Sequence, residues 1–321
     1  MDGGADPIPA IVAEVAEITD LVRRFRLVRQ DGGPLPAFEA GAHVTAAFGD
    51  GTRSWRNAYS LMGPLSDRSH YLISVRRDDE GNGGSLFLHG AVGAGFELEI
   101  SPPVQGFALD LSAGRHLLLA GGIGIAPLMA QAEALAARGA DFELHYKART
   151  SDRAAYRMEL HARHGARMHS YCGDLGQELD IPALLAAQPP GTHLYLCGPE
   201  GMIERVGEDA AALAWPPERI HVERFLVETA GEPFAVVLAA SGRTVAVGAD
   251  QSLLQALEAA GIAMPFVCRG GACGRCETGV LACEGEILHR DCWLDAAGRA
   301  AGRRIMPCVS RFRGRRLLLD L

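Results

Sequence analysis

The sequence predicts a multidomain chain of three units: an antiparallel β-barrel, an α/β unit on a doubly wound parallel sheet, and a smaller α+β unit. Three observations carry this. The first third is a series of short apolar runs broken by Gly and Pro, the middle alternates strand and helix, and a loop crowded with cysteine and glycine follows a hairpin and a helix near the end. At 321 residues the chain has room for two or three compact units, each able to bury its own core. We place the units at residues 1–110, 111–226 and 233–321, with a linker over 227–232.

In the first unit, strands are expected at Ile11–Val15, Arg24–Val28, His43–Ala47, Ser54–Leu61, Tyr71–Val75 and Phe96–Ile100, set apart by turn clusters such as Asp31-Gly32-Gly33-Pro34 and Gly49-Asp50-Gly51. Many short strands punctuated in this way suit an antiparallel barrel. The middle unit reads as strand Leu117–Ala120, helix Ala126–Ala137, strand Phe142–Tyr146, helix Arg153–Arg163, strand Met168–Tyr171, helix Ile181–Ala187, strand His193–Cys197, helix Gly201–Ala214 and strand Ile220–Arg224. Such alternation builds a parallel sheet with helices on both faces, the architecture of nucleotide-binding units. In the last unit, Phe234–Ala239 and Arg243–Val247 form a hairpin around Ser241-Gly242, Ser252–Ala260 a helix, and Cys268–Cys276 an irregular loop.

Apolar residues at 48% and charged residues at 22% belong to an ordinary globular protein. A net charge of −8 argues against a nucleic-acid partner, since phosphate recognition needs a basic face. The one short basic cluster, Arg311 to Arg316, reads as a solvated edge or a local docking patch for an acidic partner. No apolar run reaches the roughly 18 residues of a membrane span, and Met1 to Pro9 lacks the basic and apolar regions of a secretory signal. A cytoplasmic location is therefore expected. There, eight cysteines point to metal or redox chemistry before disulfides.

The sharpest motif is Cys268-Arg-Gly-Gly-Ala-Cys273-Gly-Arg-Cys276, with Cys308 as a fourth member after 31 intervening residues. This C-x4-C-x2-C…C spacing is the plant-type arrangement for a [2Fe–2S] cluster. Backbone must close tightly round such a cluster and aim N–H groups at its sulfurs, which Gly270, Gly271 and Gly274 permit. A structural zinc site is the competing reading, but zinc knuckles favour two C-x2-4-C pairs. Cys172, Cys283 and Cys292 lie outside the pattern.

In the first unit Arg56-Asn-Ala-Tyr59-Ser60-Leu61 closes a strand. It resembles the Arg-x-Tyr-Ser-Leu flavin motif of the ferredoxin reductase superfamily, with one residue too many between Arg and Tyr, so that Arg53 or Arg76 are alternatives to Arg56. Downstream, Ser74-Val-Arg76 ends a strand and Gly83-Gly84-Ser85 opens a short apolar helix. Free N–H groups at a helix start make an anion site suited to a flavin phosphate, although a plain turn would look the same. In the middle unit Gly121-Gly122-Ile-Gly124-Ile-Ala-Pro127 joins the first strand to its helix, and Cys197-Gly198-Pro199 ends the last long strand. Both fall beyond the carboxyl ends of strands, where ligands of such sheets bind. The glycines are not in the G-x-G-x-x-G order.

Together these motifs resemble the phthalate dioxygenase reductase family, which joins an FMN-binding barrel, an NADH-binding unit and a C-terminal β-grasp ferredoxin, in that order, and feeds Rieske oxygenases. The resemblance runs from about Ile11 to Leu321. It implies that Arg56 and Ser85, with Ser74, Arg76, Gly83 and Gly84 nearby, hold the flavin phosphate, and that Tyr59, Ser60 and Leu61 line the isoalloxazine. It further implies that Gly122, Gly124 and Pro127 pack against the nicotinamide nucleotide, that Cys197, Gly198 and Pro199 sit near its reactive ring, and that Phe225 covers the flavin. Ser60, Cys197 and Phe225 would be the residues at the chemistry, and Cys268, Cys273, Cys276 and Cys308 the iron ligands.

The implied reaction is hydride transfer from nicotinamide to flavin, then single-electron steps through the cluster to a terminal oxygenase component. NADH is expected over NADPH on the resemblance. The residues after Phe142–Tyr146 are mixed, with Lys147, Arg149 and Arg153 suited to a 2′-phosphate and Asp152 opposed to it. Alternatives are an FAD-containing reductase for a diiron or haem oxygenase, in which the ferredoxin commonly comes first, and an electron carrier or redox sensor without NADH turnover.

Overall fold

Residues of alternating burial open the chain, and they pair into one antiparallel sheet. Its strands are β1 (Ile8–Thr19), β2 (Val22–Arg29), β3 (Ala42–Gly49), β4 (Ser54–Ser60) and β5 (Tyr71–Arg76). Helix α1 (Gly84–Ala91) precedes β6 (Glu97–Ile100) and β7 (Val104–Gln105). The order is β4-β3-β6-β1-β2-β5, with β7 beside β3. Its two edges meet where Met62 bridges Leu72, the Met62 N–H donating to the Leu72 carbonyl at 2.9 Å, which closes the sheet into a barrel. Period-two side chains such as Phe25 and Leu27, or Ile73 and Val75, fill its interior. The computed structural model describes residues 6–225, 230–266, 270–271, 274–291 and 293–321.

Next come β8 (Arg115–Gly121), α2 (Ile125–Ala137), β9 (Phe142–Ala148), α3 (Arg157–His164), β10 (Met168–Cys172), α4 (Ile181–Ala186), β11 (Thr192–Cys197), α5 (Glu200–Ala212) and β12 (Ile220–Glu223). All five strands are parallel, in the order β10-β9-β8-β11-β12. Leu118 and Ala120 of β8 face the layer of α2 and α3, while Leu117 and Leu119 face α4 and α5. Burial on both faces is why this strand reads as a continuous apolar run. Helix α3 starts at Arg157 rather than Arg153, because Tyr156 before it adopts a left-handed backbone, φ 64°.

Val22, Met62 and Phe107 join the core between the sheet and α2. Barrel and parallel sheet thus form one compact unit, Asp6–Arg224, and Phe225–Leu321 belongs to another. Among the described residues no helix is long and apolar enough to cross a membrane.

The C-terminal unit contains β13 (Phe234–Leu238), β14 (Thr244–Val247), α6 (Leu253–Ala259), β15 (Thr278–Leu288), α7 (Ala296–Ala300), β16 (Arg304–Ile305) and β17 (Arg311–Leu319). Its sheet runs β14-β13-β17-β15-β16, with β13 and β17 parallel and the other pairs antiparallel. Helix α6 packs on it through Leu253, Leu254 and Leu257. A capping box starts that helix: Ser252 Oγ accepts the Gln255 N–H at 3.2 Å, and Gln255 Oε1 accepts the Ser252 N–H at 2.9 Å.

The basic cluster is neither a solvated edge nor a docking patch at its first member. Arg311 is 2% exposed. Its guanidinium donates to the carbonyls of Gln251, Gly231, Glu232 and Gly248 at 2.8–3.2 Å and lies 5.1 Å from the Phe234 ring centre. Five fixed donors let one side chain satisfy several buried carbonyls. Further out, Arg315 pairs with Glu284 at 3.2 Å.

Arg311→Leu should cost the C-terminal unit about 3 kcal/mol, since buried carbonyls lose their donors. Hydrogen exchange of the β13 and β17 amides should accelerate roughly a hundredfold while β8 and β11 stay protected. Unchanged protection in β17 would show that the guanidinium holds nothing in place.

Candidate functional site

Strand order reverses between β8 and β11, and ligands of open α/β sheets sit beyond the strand ends at such a point. Here β8 leads into Gly121–Gly124 and β11 into Cys197-Gly198-Pro199. A Cβ on Gly124 would stand 2.2 Å from the Cys197 carbonyl oxygen, one on Gly121 2.7 Å from Pro199 Cδ, and one on Gly198 3.1 Å from Gly121 Cα. These three glycines answer to the packing of the two loops on each other. Gly122 differs, with φ +54° and nothing within 4 Å of its Cβ position. Gly124 and Pro127 are buried, so of the three residues expected against the nucleotide only Gly122 keeps an open face.

Parallel pairing sets Cys197 opposite Glu223. Cys197 is 1% exposed, and burial, with the Glu223 carboxylate next to it, pushes the thiol well above its ordinary range. It is therefore a packing group, not a nucleophile. From the barrel, Ser60 Oγ donates to Glu223 Oε2 at 3.4 Å. Burial lifts the Glu223 carboxyl to about 8, against the smaller opposing effect of the Ser60 hydrogen bond. Ser60, Cys197 and Glu223 thus converge from two sheets. The role of Glu223 went unread in the sequence although a signal was there. In Ile220-His-Val222-Glu223, the apolar pair packs toward α4 and α5, which sends Glu223 to the barrel side.

Strand β4 places Trp55, Asn57 and Tyr59 on its more buried face and leaves Arg56 exposed on the other. The extra residue between Arg and Tyr has this consequence, because side chains alternate along a strand. Asn57, on the face opposite Arg56, meets the Gly83-Gly84 turn, with Nδ2 2.6 Å from a Cβ on Gly84, and it donates to Tyr59 Oη at 3.1 Å. Burial raises the Tyr59 phenol to about 12. The cation at the turn is Arg53, which donates to the Asn82 carbonyl at 2.8 Å and lies over the Trp55 ring, with Nη1 3.6 Å from a Cβ on Gly83. Gly83, φ +89°, begins α1 without a side-chain cap.

Other expected flavin contacts are engaged elsewhere. Ser74 Oγ bonds Tyr156 Oη, and Ser85 Oγ accepts the Asp78 N–H at 3.0 Å. The Leu61 side chain is fully buried in the barrel interior. Arg76 ends β5 exposed. Phe225 is 45% exposed and groups with the C-terminal unit.

Of the cysteine set, Cys268 and Cys273 lie outside the described residues, as does Cys292. Cys276 and Cys308 are both 3% exposed, with sulfurs 3.3 Å apart. That is too far for a disulfide, about 2.05 Å. It is near the roughly 3.7 Å at which two thiolates sit on one tetrahedral metal with bonds of about 2.3 Å. The pair fits an iron site. Gly271, φ +76°, packs on Asp291, and Gly274, φ +67°, packs under the Trp293 ring, 2.1 Å from where its Cβ would be. Trp293 is half exposed, and its indole N–H donates to Glu277 at 3.0 Å.

Comparison with known proteins accords with this geometry. Residues 236–313 match the family model of the 2Fe-2S iron-sulfur cluster binding domain, and residues 97–220 that of the dimethylamine monooxygenase subunit DmmA-like N-terminal domain. The chain is 42% identical to the carnitine monooxygenase reductase subunit of Acinetobacter baumannii, over 98% of each chain. It is 44% identical to the heme-dependent oxidative N-demethylase beta subunit of Ectopseudomonas mendocina, over 97% of each. The solved structure of phthalate dioxygenase reductase superposes with a TM-score of 0.77 at 33% identity, over 98% of each chain.

The folded chain holds the Glu223 proton up to about pH 8, whereas an unfolded glutamate releases it near 4.3. Folded Glu223 therefore binds more protons between these values, and stability falls as pH rises through that window. Glu223→Gln should remove this component, making the variant the more stable partner at pH 8 relative to pH 5 by on the order of 1–3 kcal/mol. Urea unfolding of both proteins at the two pH values measures it; parallel shifts would mean that Glu223 ionises normally.

Proposed function

The chain belongs to the family of reductase subunits of oxygenase and demethylase systems that carry a 2Fe-2S domain, and we propose that it passes electrons from NADH through FMN and a plant-type [2Fe–2S] cluster to a terminal oxygenase with a Rieske iron centre. The observation that carries this reading is the corner where Ser60 of the barrel meets Cys197 and Glu223 at the nucleotide end of the parallel sheet. A bound flavin supplies the chemistry of accepting a hydride and releasing single electrons.

The residues do the rest. Arg53 and the amides at the start of α1, of which that of Gly84 already donates to Asn82 Oδ1 at 2.9 Å, hold the flavin phosphate. Tyr59 and Ser60 line the ring. Gly122 lets the nucleotide come close to backbone, Pro199 and Gly198 bound its ring, and the buried Cys197 gives that ring an apolar neighbour that does not ionise. Glu223 keeps its proton near neutral pH and shares it with Ser60 at the ring edge. Cys268, Cys273, Cys276 and Cys308 hold the irons. NADH is favoured because Asp174, which accepts the Ser151 N–H and hydroxyl at 2.9 and 2.7 Å, adds a carboxylate beside Asp152 where a 2′-phosphate would lie. Compactness of the Gly83-Gly84 turn favours FMN over FAD. The reading includes a cytoplasmic location, a compartment that keeps thiols reduced for metal binding.

A second reading has a haem-dependent partner in place of the Rieske oxygenase. It is favoured by the 44% identity to the heme-dependent oxidative N-demethylase beta subunit.

Acid-released flavin should be FMN, and the specificity constant should be higher with NADH; FAD or an NADPH preference would revise the corresponding half of the proposal. In Cys308→Ser the cluster absorption should vanish while flavin content and ferricyanide reduction by NADH survive. Electron delivery to a purified Rieske oxygenase component should fall by orders of magnitude, at least about a hundredfold. A variant that still drives the oxygenase normally would move the fourth ligand to Cys283 or Cys292.

A further inference from the structure

The barrel strand carrying Tyr59 and Ser60 and the strand ends carrying Gly122 and Cys197 belong to different halves of Asp6–Arg224, so the seam between the halves sets their spacing. Most of that seam is apolar, Val22, Met62 and Phe107 packing with Leu118, Ile125 and Met129. Apolar contact is non-directional and holds the halves together without itself fixing a bond geometry between them. Among directional bonds, Gln131 Nε2 to the Phe107 carbonyl and the Asp110 N–H to Tyr195 Oη, both 2.7 Å, hold the segment connecting the halves. The bond between Ser74 Oγ and Tyr156 Oη instead ties a barrel strand straight to the first residue before α3, as the longer bond from Ser60 Oγ to Glu223 Oε2 at 3.4 Å ties another to β12.

Tyr156 bears a cost for being there. It is 6% exposed with φ 64°, one of two non-glycine residues with positive φ among those described, and such a backbone costs on the order of 1–3 kcal/mol. Glycine would relieve the strain but could not reach Ser74. Burial keeps the phenol protonated, raised to about 12, so it stays a hydrogen-bonding hydroxyl at any working pH. Its position is also telling. Ser74 lies on β5, which leads through residues 77–82 to the Gly83-Gly84 turn, and Tyr156 closes the loop after β9 that contains Ser151 and Asp152. One bond joins the roots of both cofactor loops.

We propose that Tyr156 is a positioning residue for hydride transfer, its bond to Ser74 fixing the nucleotide half against the flavin half so that the nicotinamide ring is held over the flavin. This rests on the function proposed above. Reacting atoms must approach to about 3–3.5 Å, and a misplacement of about 1 Å can cost roughly a hundredfold in rate.

The test uses the full flavin-loaded chain and the variants Tyr156→Phe, which keeps the ring and its packing, Ser74→Ala and the double variant. Stopped-flow reduction at saturating NADH should show a limiting rate at least about tenfold lower in each single variant and no further loss in the double, since both remove the same bond. When NAD+ is added to the dithionite-reduced protein, the long-wavelength charge-transfer absorbance should weaken to the same extent in all three. Flavin content should stay at the unmodified level. A limiting rate and charge-transfer band unchanged in Tyr156→Phe, with only a lower melting temperature, would reduce the bond to a structural tie and overturn the inference, as would additive losses. If the unmodified chain is not reduced by NADH or NADPH at all, the underlying function fails instead, and the two failures are thereby distinct.

Discussion

An apolar seam governs the larger unit. Val22, Met62 and Phe107 leave the barrel's own interior and complete the core between the parallel sheet and α2. Neither half has a finished surface without the other, and so two sheets of different topology behave as one body. The corner of Ser60, Cys197 and Glu223 exists only because of that seam: each of the three is an ordinary strand-end residue in its own sheet, and the carboxyl is forced to retain its proton by being closed over from the barrel side.

What could be read from the sequence was whatever depends on near neighbours. Strand alternation, Gly/Pro punctuation and the change to strand–helix rhythm are local patterns, and both sheets of the larger unit follow them closely. Motif spacing also survived, with Cys276 and Cys308 meeting across 31 residues of chain. What the sequence does not announce has another origin. Arg56 was matched by type and order, but a period of two makes face depend on counting, and one additional residue moved the charge to the opposite side of β4. Ser74 and Ser85 are placed at the flavin phosphate by resemblance; Ser74 also meets a tyrosine 82 residues away, which no local pattern announces.

Arg311 shows the same limit in the C-terminal unit. In a run of six residues containing four arginines, exposure is the natural expectation. Yet the first of them is the bulkiest of the fully buried side chains among the described residues, gathering carbonyls from residues 231–232 and from the turn before α6. Its neighbour in the fold, Asp291, does related work with opposite charge. The carboxylate accepts the Leu294 N–H at 2.9 Å and the Ser310 hydroxyl at 3.2 Å, and Gly271 rests against its backbone. Between them the two buried ions connect β17 to the segment entering the unit on one side and to the cysteine loop on the other.

The glycines at the end of β8 have an implication for how ancestry is inferred. Gly121, Gly124 and Gly198 are held to their identity by backbone lying within 3.3 Å of where a side chain would begin, not by anything small that binds between the loops. A descendant that had ceased to use a nucleotide would still be obliged to retain them for as long as β8 and β11 stayed adjacent. Retention of this triplet is therefore a record of descent, and Gly122, open at its Cβ position, is kept a glycine by its backbone, φ +54°, and not by packing.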